Sequence, residues 1–278
     1  MAIQGGPFEL LGKDGCILRG RHDLAPGGAR AHCVIVHGLG EHQARYERLT
    51  EWLNHRGVGV TRYDQRGHGK SDGPRGGLHG DDDLSQDLCA VLGMLAGQGV
   101  GRPLLLGHSL GGLVVASVLT RQAHLVGAVV LSSPALALWL NPFQRLLLAS
   151  VPRVVPNLRV DNALKVERIS HDPDVVAAYR KDPLVHRKAA ARLVAWMVRE
   201  QAAVLAAARG IQVPMLLMEA EDDQLVNPAG SRAFAAAAPA TWLTHRPIGG
   251  AWHEIFNEAS PWRDHALRNL SEWLDRIV

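Results

Sequence analysis

The chain has 278 residues, 47% hydrophobic and 21% charged, which suits one large α/β domain carrying an insertion. Its formal charge of +3 is small and its basic residues are interleaved with acids, so no phosphate-tracking surface and no nucleic-acid partner is expected. Three cysteines without paired spacing, no secretion-signal pattern near Met1 and no apolar run of membrane-spanning length predict a cytoplasmic protein.

Two extended runs between Phe8 and Leu24 flank a Lys13-Asp14-Gly15 turn and predict a hairpin. Ala31 to Val36 is an apolar run, as in a strand buried on both faces, and it ends in His37-Gly38-Leu39-Gly40. A helical pattern from His42 to Arg56 stops at Gly57, and Val58 to Tyr63 is the next strand. It opens into Asp64-Gln65-Arg66-Gly67-His68-Gly69. Asp81 to Ala96 reads as a helix whose acidic first turn complements its dipole, so its aspartates are read as helix-end stabilisers rather than metal ligands. Leu104 to Leu106 is a short strand, Gly107-His108-Ser109-Leu110-Gly111 a tight turn, and an apolar helix follows to about Gln122. Val126 to Leu131 is the sixth strand. Strands alternating with helices predict a mostly parallel, doubly wound α/β sheet, in which ligands sit outside the carboxyl ends of the strands. His37, Asp64 and Ser109 each stand at such an end.

After Pro134 the alternation breaks. Residues 135–210 carry four prolines before Asp174 and then alanine-rich helical segments. They are read as a mainly helical cap, or lid, inserted after the sixth strand, with 1–134 and 211–278 as the body. Trp139, Leu140, Phe143 and Leu146 to Leu148 form an apolar patch there. It is either the insertion's own core or a lid surface that admits lipid-like substrate and touches a membrane surface in passing. Alternation resumes with a strand from Val213 to Met218, a helix from Pro228 to Ala238 and a strand from Trp242 to Arg246. A final amphipathic helix runs from Pro261 to Ile277.

The Gly-x-Ser-x-Gly turn is weak as a bare pattern and gains weight from its setting between strand and helix. A serine hydroxyl needs an imidazole to take its proton and a carboxylate to orient that imidazole. Downstream, Glu219, Glu221, Asp222 and Asp223 crowd the turn after the Val213 strand, and His253 follows the last strand. Asp223, at the end of that turn, is the preferred acid, with Asp222 as the alternative. His245 lies within a strand and His265 within a helix, which leaves His253 as the base. Backbone N–H donors for an oxyanion are expected at Leu110, on the helix N-terminus, and in the Gly38-Leu39-Gly40 loop. A metal site at His37, Glu41 and His42 is disfavoured by glycines at 38 and 40 and lacks a third ligand group.

In combination these segments resemble the monoacylglycerol lipases and related lysophospholipases. The resemblance rests on His37-Gly38-Leu39-Gly40-Glu41-His42 with Arg45-Tyr46, on Tyr63 to Gly73, and on Gly107 to Gly112. It extends through Ser132-Ser133-Pro134, Tyr179 with Asp182-Pro183-Leu184, Asp223 to Val226 and His253 to Glu258, nearly the whole chain in order. The resemblance implies an α/β-hydrolase fold with a helical cap, a Ser109-Asp223-His253 triad, oxyanion donors at Leu39 and Leu110, and no cofactor or metal. It further implies that Arg45 and His108 hold the polar head of the substrate and that Tyr179 lines the cap side. The family's cap often places a glutamate one helical turn before that tyrosine, where this chain has Val175. The expected activity is hydrolysis of monoacylglycerols or similar single-chain esters, with lysophospholipase or broad esterase as alternatives. An aminopeptidase-type activity shares the triad, and a dehalogenase would want aspartate at 109. A decayed, non-catalytic binding protein is the reading from another class, against which every triad position holds a competent residue.

Overall fold

The computed structural model describes residues 3–141, 144, 151, 154–162 and 164–278. An eight-stranded sheet runs through it in the order β1-β2-β4-β3-β5-β6-β9-β10. Its first two strands, β1 (Gly6–Leu11) and β2 (Ile17–Asp23), form the predicted antiparallel hairpin, with Leu11 opposite Ile17. β2 also pairs antiparallel with β4 (Val58–Tyr63). From there β3 (Ala31–Val36), β5 (Leu104–His108), β6 (Ala128–Ser132), β9 (Met215–Ala220) and β10 (Leu243–Ile248) all pair parallel.

β4, β5, β6 and β9 are buried at every residue, because helices cover both faces of the sheet. Successive side chains alternate between two cores. Val34, Val36, Leu105, Val129 and Leu217 face one core, packed by α2 (Asp83–Gly97) and α3 (Leu110–Gln122). Cys33, Ile35, Leu106, Val130 and Met218 face the other, packed by α1 (Glu47–Asn54) and by Leu270, Trp273 and Leu274 of the last helix. Among the described residues no helix is long and apolar enough to cross a membrane.

The single helix expected from His42 to Arg56 is divided into a 3-10 turn, Gln43–Tyr46, and α1. Tertiary bonds cause the break: Asp64 Oδ1 takes the Gln43 N–H at 2.8 Å, and the Tyr46 hydroxyl turns inward to donate to Glu41 at 2.7 Å.

Between β6 and β9 the segment is not all helical. A short antiparallel ribbon, β7 (Arg159–Asp161) with β8 (Lys188–Ala190), brackets α4 (Pro173–Lys181), and α5 (Ala191–Ala207) follows. Asp172 caps α4 by accepting the Asp174 N–H, with Pro173 in its first turn. Val166, Ile169 and Tyr179 form a small core of their own, with Val175 packed against it. α5 instead sends Leu193, Trp196, Met197 and Val204 into the α3-side core. Trp139 and Leu140 of the apolar patch are described, whereas Phe143 and Leu146 to Leu148 lie outside the described residues. α6 (Ala229–Ala237) and α7 (Trp262–Ile277) complete the fold.

Candidate active site

The chain leaves β5 at His108 and enters α3 at Leu110, so Ser109 must make the whole reversal. It does so at φ 53°, ψ −119°, a strained conformation for a residue with a Cβ, costing about 1–3 kcal/mol. Three backbone bonds hold it there: Ser109 N–H to Ser132 O at 3.1 Å, and Ser109 O accepting from Leu113 at 3.2 Å and Ala135 at 2.9 Å. The turn also needs glycine on either side. A Cβ at 107 would run into the Gly111 carbonyl, and one at 111 into the carbonyls of Val36 and His37.

The acid turn after β9 and the loop after β10 meet beside this serine. His253 Nδ1–H donates to Asp223 Oδ2 at 2.6 Å, and Asp223 Oδ1 accepts the N–H groups of Leu225 and Val226 at 2.8 and 2.9 Å. Both side chains are buried. With the proton on Nδ1, Nε2 is left as an acceptor. Burial disfavours the imidazolium, but the Asp223 carboxylate outweighs it and raises the His253 pKa above its ordinary value. The carboxylate is likewise desolvated, yet His253 and the two backbone donors keep its pKa below normal. Asp222, the alternative acid, is exposed, and Glu219 is tied to Arg232 at 2.9 Å.

Ser109 and His253 line one cavity of about 360 Å³. Glu41, His108, Glu254, Tyr179, Asn162 and Lys165 line it together with the apolar side chains of Leu138, Trp139, Ile169, Met197 and Leu225. Leu39 lines the same cavity. Neither the Leu39 nor the Leu110 N–H has an acceptor among the described residues. For Leu110 this follows from its place at the first position of α3.

His108 lies with its ring centroid 4.6 Å from that of His253. Its Nδ1–H donates to Ser132 O at 3.1 Å, which leaves Nε2 as an acceptor. Burial, reinforced by the charge of His253, brings its pKa down to about 4, so it is neutral at physiological pH.

Arg45 is placed differently from the expectation of a substrate contact. It lines no part of the cavity, and its guanidinium donates to Glu41 Oε2 and to both oxygens of Glu254, each at 2.7 Å. It also lies 4.6 Å above the ring centroid of Tyr179. Glu41 additionally accepts the Gly38 N–H at 2.6 Å and the Tyr46 hydroxyl at 2.7 Å. Burial opposes its charge, but Arg45 and the other donors hold its pKa at about 2. Arg45 therefore joins the loop bearing Leu39 to the loop bearing His253. The i,i+4 spacing of Glu41 and Arg45 is the one sequence signal that points to this pairing.

The ligand atoms of the weighed metal site are engaged elsewhere. His37 Nδ1 bonds Gly38 O at 2.8 Å, its Nε2 accepts the Gln65 N–H at 2.9 Å, and His42 bonds Asp182 at 2.7 Å. Asp14, His79 and Asp83 converge near α2, but the Arg66 guanidinium lies 2.7 Å from both carboxylates and already takes the cationic position between them.

This architecture places the chain among the serine hydrolases of the α/β-hydrolase fold. Its family can be stated more narrowly: residues 27–260 match the profile of the family described as serine aminopeptidase, S33, and the chain belongs to that family. It is 30% identical over 249 residues to a monoacylglycerol lipase of Mycolicibacterium smegmatis, covering 88% of each chain. It is 29% identical over 250 residues to phospholipase YtpA of Bacillus subtilis, covering 88% of this chain and 95% of that one. Among solved structures, the monoacylglycerol lipase of Paleococcus ferrophilus superposes with a TM-score of 0.87 at 33% identity, over 94% of this chain and 99% of that one.

Proposed function

We propose that the protein hydrolyses monoacylglycerols to fatty acid and glycerol, with Ser109 as nucleophile, His253 as base and Asp223 as its orienting acid. The observation that carries this reading is the 2.6 Å bond from His253 to Asp223 beside a cavity that Ser109 shares and apolar side chains wall. Ser109 Oγ attacks the ester carbonyl as its proton passes to His253 Nε2. The oxyanion accepts the N–H groups of Leu39 and Leu110. Collapse expels the glycerol oxygen with the proton from His253, leaving the acyl chain on Ser109. Water, deprotonated by His253, then releases the fatty acid and restores the serine. Asp223 stays ionised throughout and stabilises the imidazolium. No step calls for a cofactor.

Lysophospholipids are the second reading. The resemblance to a phospholipase supports it, as does Lys165, which lines the cavity near Tyr179. Labelling with a fluorophosphonate is expected in the wild type and not in Ser109→Ala; an unlabelled, folded wild type would sink the enzyme reading. Hydrolysis of monoacylglycerols, lysophospholipids and nitrophenyl esters of matched acyl chains then ranks the substrates, and monoacylglycerols are expected to lead.

Within 135–210 we assign the cap role to the part that precedes α5, since α5 is built into the body's core. Trp139, Val154, Val155, Leu158 and Val160 are exposed on this part and form the proposed contact with a lipid surface. Val154→Asp, at an exposed position that does not line the cavity, is expected to reduce sedimentation with phosphatidylcholine vesicles while leaving turnover of a water-soluble short ester unchanged. Equal sedimentation of both proteins would remove the proposal. Cys16 and Cys33 are buried free thiols and Cys89 a half-buried one, which supports a reducing, cytoplasmic setting.

A further inference from the structure

His253 stands in a loop, residues 249–261, that has no strand or helix to hold it. Side chains must therefore fix it. Glu258, fully buried, does much of this by accepting the N–H groups of Trp252 at 2.7 Å and Ala259 at 3.0 Å from its own loop. The same carboxylate accepts from the segment leading into α4: His171 N–H at 2.8 Å, His171 Nδ1–H at 2.9 Å and the Ser170 hydroxyl at 3.1 Å. The Glu254 N–H closes the seam by donating to Ile169 O at 2.9 Å.

His171 contributes more than a donor. Its ring is stacked between two indoles, 3.7 Å from Trp252 and 4.3 Å from Trp262, at interplanar angles of 27° and 17°. Trp252 immediately precedes His253, and Trp262 reaches back to the start of the same loop through Nε1–H to Gly249 O at 3.0 Å. The imidazole thus sets the spacing between the two ends of the loop that presents the base.

We propose that His171 is a positioning residue for His253: clasped by Glu258 and stacked between Trp252 and Trp262, it sets the base's orientation from the segment that leads into α4. The proposal rests on the reading of His253 as base. Because Ile169 and Tyr179 line the cavity on that segment and on α4, a shift of this part as substrate enters reaches the base through the clasp.

The test uses the full chain and a short nitrophenyl ester. In His171→Ala, kcat is expected to fall about 10- to 100-fold with KM within about threefold, since misplacing a base slows chemistry more than binding. The acid limb of kcat/KM should move to lower pH, because a looser His253 loses part of the support of Asp223. Besides Asp223, the charged or titratable groups that face the His253 ring, His108, Glu254 and Glu41, are untouched by this substitution. His171→Phe keeps the stacked ring without a donor to Glu258, and His171→Gln keeps a donor. Each is expected to recover part of the kcat lost in the alanine variant, glutamine through the bond to Glu258 and phenylalanine through the stack, and neither all of it. A folded His171→Ala with wild-type kcat and an unmoved limb, lowered only in thermal midpoint, would show a merely structural role and overturn the proposal. If the alanine variant does not fold, wild-type kcat in both the phenylalanine and the glutamine variants would overturn it instead. Absence of fluorophosphonate labelling in the wild type would strike Ser109 and His253 themselves, not the clasp.

Discussion

Asp223 and Asp222 are neighbours in sequence and opposites in environment. One is buried against His253 and two backbone donors, and the other is exposed. Asp223→Asn should lower kcat/KM by about 10⁴-fold, because an amide cannot stabilise the imidazolium and leaves the wrong tautomer favoured. Asp222→Asn should change it less than about threefold. Comparable losses in the two variants would undo the assignment. The pH dependence carries a second signature of the same contact. As the proposed base His253 must be neutral to accept a proton, and its pKa is raised, so kcat/KM of the wild type should reach half its plateau above about pH 6.5. In Asp223→Asn the support is gone while burial remains, and the limb of the residual activity should move to lower pH. Rate profiles between pH 5 and 9 that do not separate the two proteins would contradict this electrostatic account.

The elements differ in how plainly the chain announces them. β3 and β4 begin and end at the residues expected, since a strand buried on both faces needs an unbroken apolar or small-residue run and turn residues to stop it. The serine turn was equally legible, because Gly107 and Gly111 record a close approach of backbones that only glycine permits. Legibility fails where tertiary contacts decide. The ribbon β7–β8 has three residues a strand, too few for a period, and forms because its strands find each other across α4. The helix after His42 is broken by partners that lie at Asp64 and Glu41. Arg45 shows the same limit within the site, its buried carboxylate Glu254 lying 209 residues away. Arg45→Met should therefore act through stability: it leaves two buried carboxylates without their cation, a loss of about 3–5 kcal/mol. Urea denaturation would measure it. A change below about 1 kcal/mol together with a large rise in KM would restore Arg45 to a substrate-binding role.

Across the whole molecule, burial has acted on the histidines in one direction. Burial lowers the pKa of His22, His37 and His68, and takes His32, His108 and His186 down to about 4. In the unfolded chain each returns to about 6.5, so between about pH 6.5 and 4 unfolding takes up protons that the native state does not bind. Stability must then rise with pH across that window, and it is lost as pH falls through it. His253 runs the other way: its raised pKa gives stability at low pH that fades as pH rises through the folded value, one group against six. Carboxylates held low by partners, such as Glu41 and Asp223, add their own loss only once the pH falls below their unfolded values near 4. The thermal midpoint should therefore begin to drop near pH 6.5, well before carboxylates titrate, and steepen below about pH 4.5. Calorimetry in buffers of low ionisation enthalpy would check this, and a midpoint flat from pH 7 to 5 would refute it. Over the same range His253 takes up its proton, so activity and fold decline together on acidification. They separate on return to pH 8: the share lost to titration recovers at once, and the share lost to unfolding only at the rate of refolding.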